Sequence, residues 1–210
     1  MLRHLFALAV CFLPAIACAQ SVSLDGAWQL LRNAEESLPG ADAKWETVQV
    51  PHLVEQSGRK PLMWYRRAVQ IPADWTGKHV FVRFEGVKFV SQVYVDGKEV
   101  GGYSGGFEPW EVEITAACRP GQEHELTLRV RDFTGLVEGE IDLEKLQPGM
   151  RSVSLAKDAL MAPVGSQYSR GGIWQSVSLV ARNDVYVEDA FVRTSVRKHE
   201  IGVDITLRNL

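Results

Sequence analysis

The chain is 210 residues long, and its 23 Lys and Arg stand against 26 Asp and Glu with the signs interspersed, giving a formal net charge of -3. That balance leaves neither the basic stripe that nucleic acid requires nor the polybasic face of a membrane-surface binder. A hydrophobic content of 46% fills one sizeable core and leaves little room for a second complete domain.

Residues 1–19 read as a secretory signal. Arg3 and His4 form a short basic start, Leu5 to Ile16 an apolar run, and Ala17-Cys18-Ala19 a small-residue cleavage site before Gln20. The run is shorter than the roughly 20 residues that cross a bilayer, so no membrane span is expected. Secretion or a periplasmic location follows from this reading, and lipidation at Cys18 is its minor rival. Cleavage removes Cys11 and Cys18, so Cys118 stands alone without a disulfide partner, as a small buried apolar residue.

After the signal, short segments of period-2 alternation dominate, the mark of strands with one buried face. In chain order they are Trp28–Leu31, Trp64–Ile71, His79–Glu85, Gln92–Val95, Val112–Ile114, His124–Arg131, Trp174–Val180, Val185–Thr194 and Ile201–Leu207. Asp96-Gly97 is a two-residue hairpin signal, and Pro72-Ala73-Asp74 and Arg119-Pro120-Gly121 are turn-prone clusters. Many strands joined by local turns predict an all-β sandwich or jelly roll, between which periodicity does not choose. The interval 134–169 is long, mixed in charge and broken by glycine and proline, with a short helix expected near 154–160. Residues 185–210 restart the alternation. Two strands bury no core of their own, so they open a second β domain or add edge strands to the first.

Chemistry-bearing patterns are sparse. The five histidines, His4, His52, His79, His124 and His199, show no metal-ligand spacing, so no metal and no cofactor is expected. Gly101-Gly102 and Gly105-Gly106 lack the strand-loop-helix setting of a phosphate loop and are expected as tight loop turns. Ser104 lacks the setting of a nucleophile elbow. The carboxylates Glu108, Glu111, Glu113, Glu138, Glu140 and Asp142 read as solvated faces, and no catalytic residue is assigned. Aromatics are more suggestive, because sugar C–H faces pack on rings while hydroxyls need fixed polar partners. The candidates are Trp64, Tyr103, Phe107, Trp110, Tyr168 and Trp174. Trp64 and Trp174 read as core, and Tyr168, in a polar loop with Gln167 and Arg170, reads as the better ligand contact.

Four segments taken together carry a resemblance: Trp64-Tyr65-Arg66-Arg67 opening a strand, IPADWTGKHVFVRFEGV, QVYVDGKEVGGYSGGFEPWEVEIT, and GGIWQSVSLVA. In this order and spacing, over Leu24 to Ala181, the chain resembles the N-terminal sugar-binding (galactose-binding-like) domain of glycoside hydrolase family 2, which includes β-galactosidases, β-glucuronidases and β-mannosidases. The resemblance implies a jelly-roll β-sandwich over 20–183, with 184–210 as the first strands of a truncated immunoglobulin-like domain. It places the family's two catalytic glutamates in a barrel of about 250 residues, for which this chain has no room. Family members often carry an acidic residue six to eight positions before the second glycine of the GGI motif. Here those positions hold Ser166 and Val164, so Tyr168 and Arg170 are the substitute sugar contacts, with Asp132 behind them.

Three functions compete at this stage. The first is the accessory domain of a secreted β-glycosidase, with a carbohydrate ligand and a catalytic barrel domain or subunit as partners. The second is a stand-alone carbohydrate-binding module, and the third a structural or interaction sandwich that binds no glycan.

Overall fold

The computed structural model describes residues 20–32, 34–55, 62–131 and 170–210, with only the backbone of Glu55 and Arg170. Its strands in chain order are β1 (Gln20–Ser23), β2 (Gly26–Arg32), β3 (Glu46–Val50), β4 (Val54–Glu55), β5 (Leu62–Gln70), β6 (His79–Phe84), β7 (Val87–Val95), β8 (Lys98–Gly105), β9 (Trp110–Glu113), β10 (Glu123–Arg131), β11 (Arg170–Ile173), β12 (Val177–Arg182), β13 (Val185–Ser195) and β14 (Glu200–Asn209). They form an all-β jelly-roll sandwich. One sheet runs β1-β12-β6-β9, the other β3-β2-β5-β10-β7-β11-β4 with β8 paired to β7.

The alternation in the sequence explains the two layers. Val80, Val82 and Phe84 of β6 and Val177, Leu179 and Ala181 of β12 point inward from the smaller sheet. Met63, Tyr65, Leu126, Leu128, Val130, Val93 and Val95 meet them from the larger one. The larger sheet is covered on its outer face as well. Leu62, Trp64 and Tyr94 form a second cluster there, against Leu31, Ala34 and Trp45. The first four residues of β5 are therefore all buried, which alternation alone does not predict.

Several turns follow the expected chemistry. Asp96 and Gly97 both have positive φ, 48° and 78°, the conformation that a two-residue hairpin requires. Asp96 also accepts at Oδ1 from the Glu125 N–H (2.8 Å) and at Oδ2 from His124 (2.6 Å). Two expectations need correction. Gly101, Gly102 and Gly105 are not loop turns but residues of β8. A Cβ on Gly102 would lie 2.3 Å from the Ser91 carbonyl oxygen, and one on Gly101 2.7 Å from Val112, so glycine lets this strand press against its neighbours. Trp174 to Ser176 are likewise not strand. The chain breaks there between β11 and β12, and the Trp174 and Gln175 N–H groups both point at the Gly86 carbonyl. The helix expected near 154–160 lies outside the described residues.

Among the described residues the β13–β14 hairpin pairs only with itself. It meets the sandwich through Tyr186, whose ring approaches Phe81, and through Arg182, which lies over both rings. His79 adds a bridge, with Nδ1 2.8 Å from Glu113 and Nε2 3.3 Å from Asp184. Val185, Val187, Phe191, Val203, Ile205 and Leu207 of the hairpin are exposed.

Candidate functional site

The start of β7 is where the parts of a candidate site converge. Arg131, the last residue of β10, lies opposite Val90, and Gly172 of β11 lies opposite Lys88. Arg131 and β11 therefore both lie beside the first four residues of β7. On its other side β11 pairs with β4, Arg170 opposite Glu55 and Gly171 opposite Val54. Of the residues singled out in the sequence, Tyr168 and Asp132 lie outside the described residues, and Arg170 is described only by its backbone.

Close packing holds β11 in place. Gly172 has φ of +119°, and a Cβ there would stand 2.4 Å from the Tyr65 hydroxyl and 3.0 Å from the His52 carbonyl oxygen. The His52 N–H donates to the Ile173 carbonyl (2.6 Å), and its ring Nδ1 lies 3.4 Å from the Tyr65 hydroxyl. Burial, followed by the nearby Arg32 charge, lowers the His52 pKa, and burial raises that of Tyr65. At neutral pH this pair offers uncharged hydrogen-bonding groups rather than ions. Sequence reasoning misses the pair: Tyr65 stands out only as part of the Trp64-Tyr65-Arg66-Arg67 segment, and His52 only as a histidine without ligand spacing.

The aromatic candidates separate by packing. Trp64 is fully buried on the outer face of the large sheet, and its Nε1–H donates to the Glu35 carbonyl (2.9 Å). Trp110 is buried between Phe84 and Tyr103, stacked on both. Tyr103 packs against the core and donates its hydroxyl to Glu108 (2.5 Å). Phe107 and Trp174 remain. Phe107 is 38% exposed, and half-buried Trp174 donates from Nε1 to the Gly106 carbonyl (2.8 Å). Between them and Phe89 sits the ammonium of Lys88, which the sequence reading passed over. Its only signal there is a lysine inside the apolar run Val87 to Val90.

Other reactive groups are tied up. Cys118 is buried, and that burial, with the Asp96 charge, pushes its thiol up to about 11. The nearby His124 does not activate it. Its Nε2 accepts from the Arg119 N–H (2.9 Å), which puts the ring proton on Nδ1, facing Asp96. Glu111 is clamped by Arg83 (2.9 Å) and by Arg182, whose second nitrogen donates at 2.6 Å. Among the described residues no group of three His, Cys, Asp or Glu side chains is placed to hold a metal, and no helix is long and apolar enough to cross a membrane.

Comparison with known proteins gives this geometry a context. The β-galactosidase of Thermoanaerobacter pseudethanolicus is 26% identical over 158 residues, covering 71% of this chain and 19% of the relative. The β-glucuronidase of Paenibacillus borealis is 26% identical over 141 residues, covering 64% of this chain and 22% of the relative. This chain thus spans about a fifth of the length of these curated relatives. Among solved structures, the β-glucuronidases of Ruminococcus gnavus (TM-score 0.65, 18% identity, 90% of this chain and 33% of that one) and Faecalibacterium prausnitzii (TM-score 0.62, 24% identity, 91% and 36%) share the fold. The family described as "Glycosyl hydrolases family 2, sugar binding domain" matches residues 15–183, most of the chain, and the chain belongs to that family.

Proposed function

We propose that this domain serves a secreted β-glycosidase, holding a carbohydrate ligand beside a catalytic barrel supplied by a further domain or subunit. The observation that carries the reading is the family match across the whole sandwich, from residue 15 to 183. The relatives named above are β-galactosidases and β-glucuronidases, which makes a β-glycoside the ligand class. In this reading residues 1–19 are the export signal, 20–183 the sugar-binding jelly roll, and 184–210 the opening strands of an immunoglobulin-like domain. Tyr168, Arg170 and Asp132 contact the sugar. The two-carboxylate chemistry of glycoside cleavage belongs to the barrel, so the domain contributes binding and orientation.

Titration of the folded chain from Gln20 to Leu210 with β-galactosides and β-glucuronides, alongside chromogenic substrates, tests the reading. Binding without turnover is expected, with Tyr168→Ala and Arg170→Ala weakening it. A folded sample that binds neither sugar overturns it.

A further inference from the structure

Gln20 opens β1 as an exposed residue, directly after the small-residue site Ala17-Cys18-Ala19. In the export reading proposed above, cleavage at that site makes Gln20 the first residue of the mature chain and turns its backbone nitrogen into a free α-amine. Its side-chain Oε1 accepts a hydrogen bond of 2.8 Å from the Lys78 ammonium. That ammonium goes to a neutral amide rather than to a carboxylate, so its charge polarises the C=O bond of the Gln20 side chain.

The fold holds both partners in place. Gln20 lies opposite Ala181 of β12, and Ala181 lies opposite Val80 of β6, so a single strand separates the head of β1 from the start of β6. Lys78 immediately precedes β6, after a turn in which Gly77 has φ of +76°. Its N–H donates to the Trp75 carbonyl (3.0 Å), and Trp75 belongs to the core. Lys78 thus projects from a fixed backbone, and reaching Gln20 costs it mainly side-chain entropy.

We infer that Gln20 is a modification site, at which the new α-amine closes on the side-chain amide to form an N-terminal pyroglutamate, with Lys78 as the donor that steadies the reacting oxygen. The inference rests on the export reading and adds a chemical step to it. The neutral amine attacks Cδ, a bond forms between the amine nitrogen and Cδ, and Oε1 takes up negative charge. That charge develops against the Lys78 ammonium. As the carbonyl re-forms, the bond from Cδ to Nε2 breaks, and Nε2 leaves as ammonia with the proton given up by the amine. No oxidant, reductant or co-reactant is consumed. The ring closure is intramolecular, and an α-amine with an ordinary pKa of about 7.7–8.0 is part neutral at physiological pH. The lactam keeps the former Oε1, so Lys78 retains its acceptor while the terminal positive charge at the same edge disappears.

Two measurements test this. The full chain, residues 1–210, is expressed in an exporting bacterial host, held at pH 8 for days, and its terminus read by intact-mass and peptide mass spectrometry. A chain that begins at Gln20, lighter by one ammonia and without a free α-amine, is the expected result. One that begins at Gln20 and keeps its amine overturns the inference alone. One that keeps residues 1–19, or begins elsewhere, overturns the export reading and the inference with it. The part played by Lys78 is read from the rate at which the chain loses its amine after protease release at Gln20 from a removable tag. Lys78→Met should slow that loss about fivefold, and Lys78→Arg should restore most of it. The difference between wild type and Lys78→Met should vanish in urea. Equal rates for the two in samples shown to be folded by tryptophan fluorescence overturn the role assigned to Lys78.

Discussion

Asp96 supports a quantitative test of how the β7–β8 hairpin is tied to β10. Its carboxylate accepts from the Glu125 N–H and from the buried His124 Nδ1–H, and its own φ of 48° suits Asp or Asn better than Ala. Asp96→Ala removes both bonds, worth about 1 kcal/mol each after allowance for a side chain half open to water. An acceptorless Nδ1–H on His124 and an alanine in left-handed backbone together add about 1 kcal/mol more. The expected loss is about 3 kcal/mol, or a urea midpoint lower by about 1 M. Asp96→Asn keeps the backbone preference and one acceptor and should lose about half as much. The hydrogen bond from His124, opposed by slight desolvation and helped by the Glu125 N–H, holds the Asp96 pKa below the usual carboxylate range. A depressed folded-state pKa contributes stability above the unfolded value and loses it as pH falls through the folded one. The gap between wild type and Asp96→Ala should therefore narrow below about pH 4. Urea unfolding followed by tryptophan fluorescence at pH 7 and pH 3.5 checks this. A loss under about 1 kcal/mol for alanine, or equal losses for alanine and asparagine, would refute the reasoning.

Further expectations follow from the same structure. With its thiol pushed up to about 11 from a reference of 9.0, Cys118 should react with a thiol reagent at pH 8 roughly a hundredfold more slowly in the folded chain than in urea. Glu111 is subject to desolvation that raises its pKa, but hydrogen bonds from Arg182 and Arg83 outweigh it, so the carboxyl titrates below its usual range. Glu111→Gln should cost about 1–2 kcal/mol at pH 7, and unfolding curves should show that cost fading below about pH 4. Gly172→Ala sets a Cβ against the Tyr65 hydroxyl at an unfavourable φ and should lower stability by more than about 2 kcal/mol, several degrees in a thermal melt.

What the sequence discloses depends on which face of each strand is covered. Like the Asp96-Gly97 turn, β6 and β10 are legible, because they carry enough period-2 signal, although Phe81 and Thr127 on their outward faces are buried too. In β5, Trp64 faces away from the main core and is still buried, because the 34–45 segment covers the outer face with Ala34 and Trp45. That cover is a tertiary fact with no local signature. β8 is hidden for the opposite reason. Its glycines answer to steric exclusion by Ser91 and Val112, and a glycine-rich string reads as turn when its neighbours are unknown. The candidate site is less legible still. His52, Tyr65, Lys88, Phe107 and Trp174 come from five separate stretches, and only tertiary contacts bring His52 to Tyr65 and Lys88 to Phe107 and Trp174.

The pairing of β1 with β12 has a topological consequence. Gln20 lies opposite Ala181 and Ser23 opposite Ser178, so the sandwich begins and finishes on two hydrogen-bonded neighbours, closed like a clasp. The Leu24 N–H reaches the Val177 carbonyl, and the Asp25 carboxylate accepts from the Val177 N–H, fastening the same edge. A short peptide from Arg182 back to Gln20 would therefore join the two ends without disturbing a ladder. The chain could then be reopened at the surface turn around Gly77, yielding a circular permutant with the same sheets and a new point of attachment for whatever it carries.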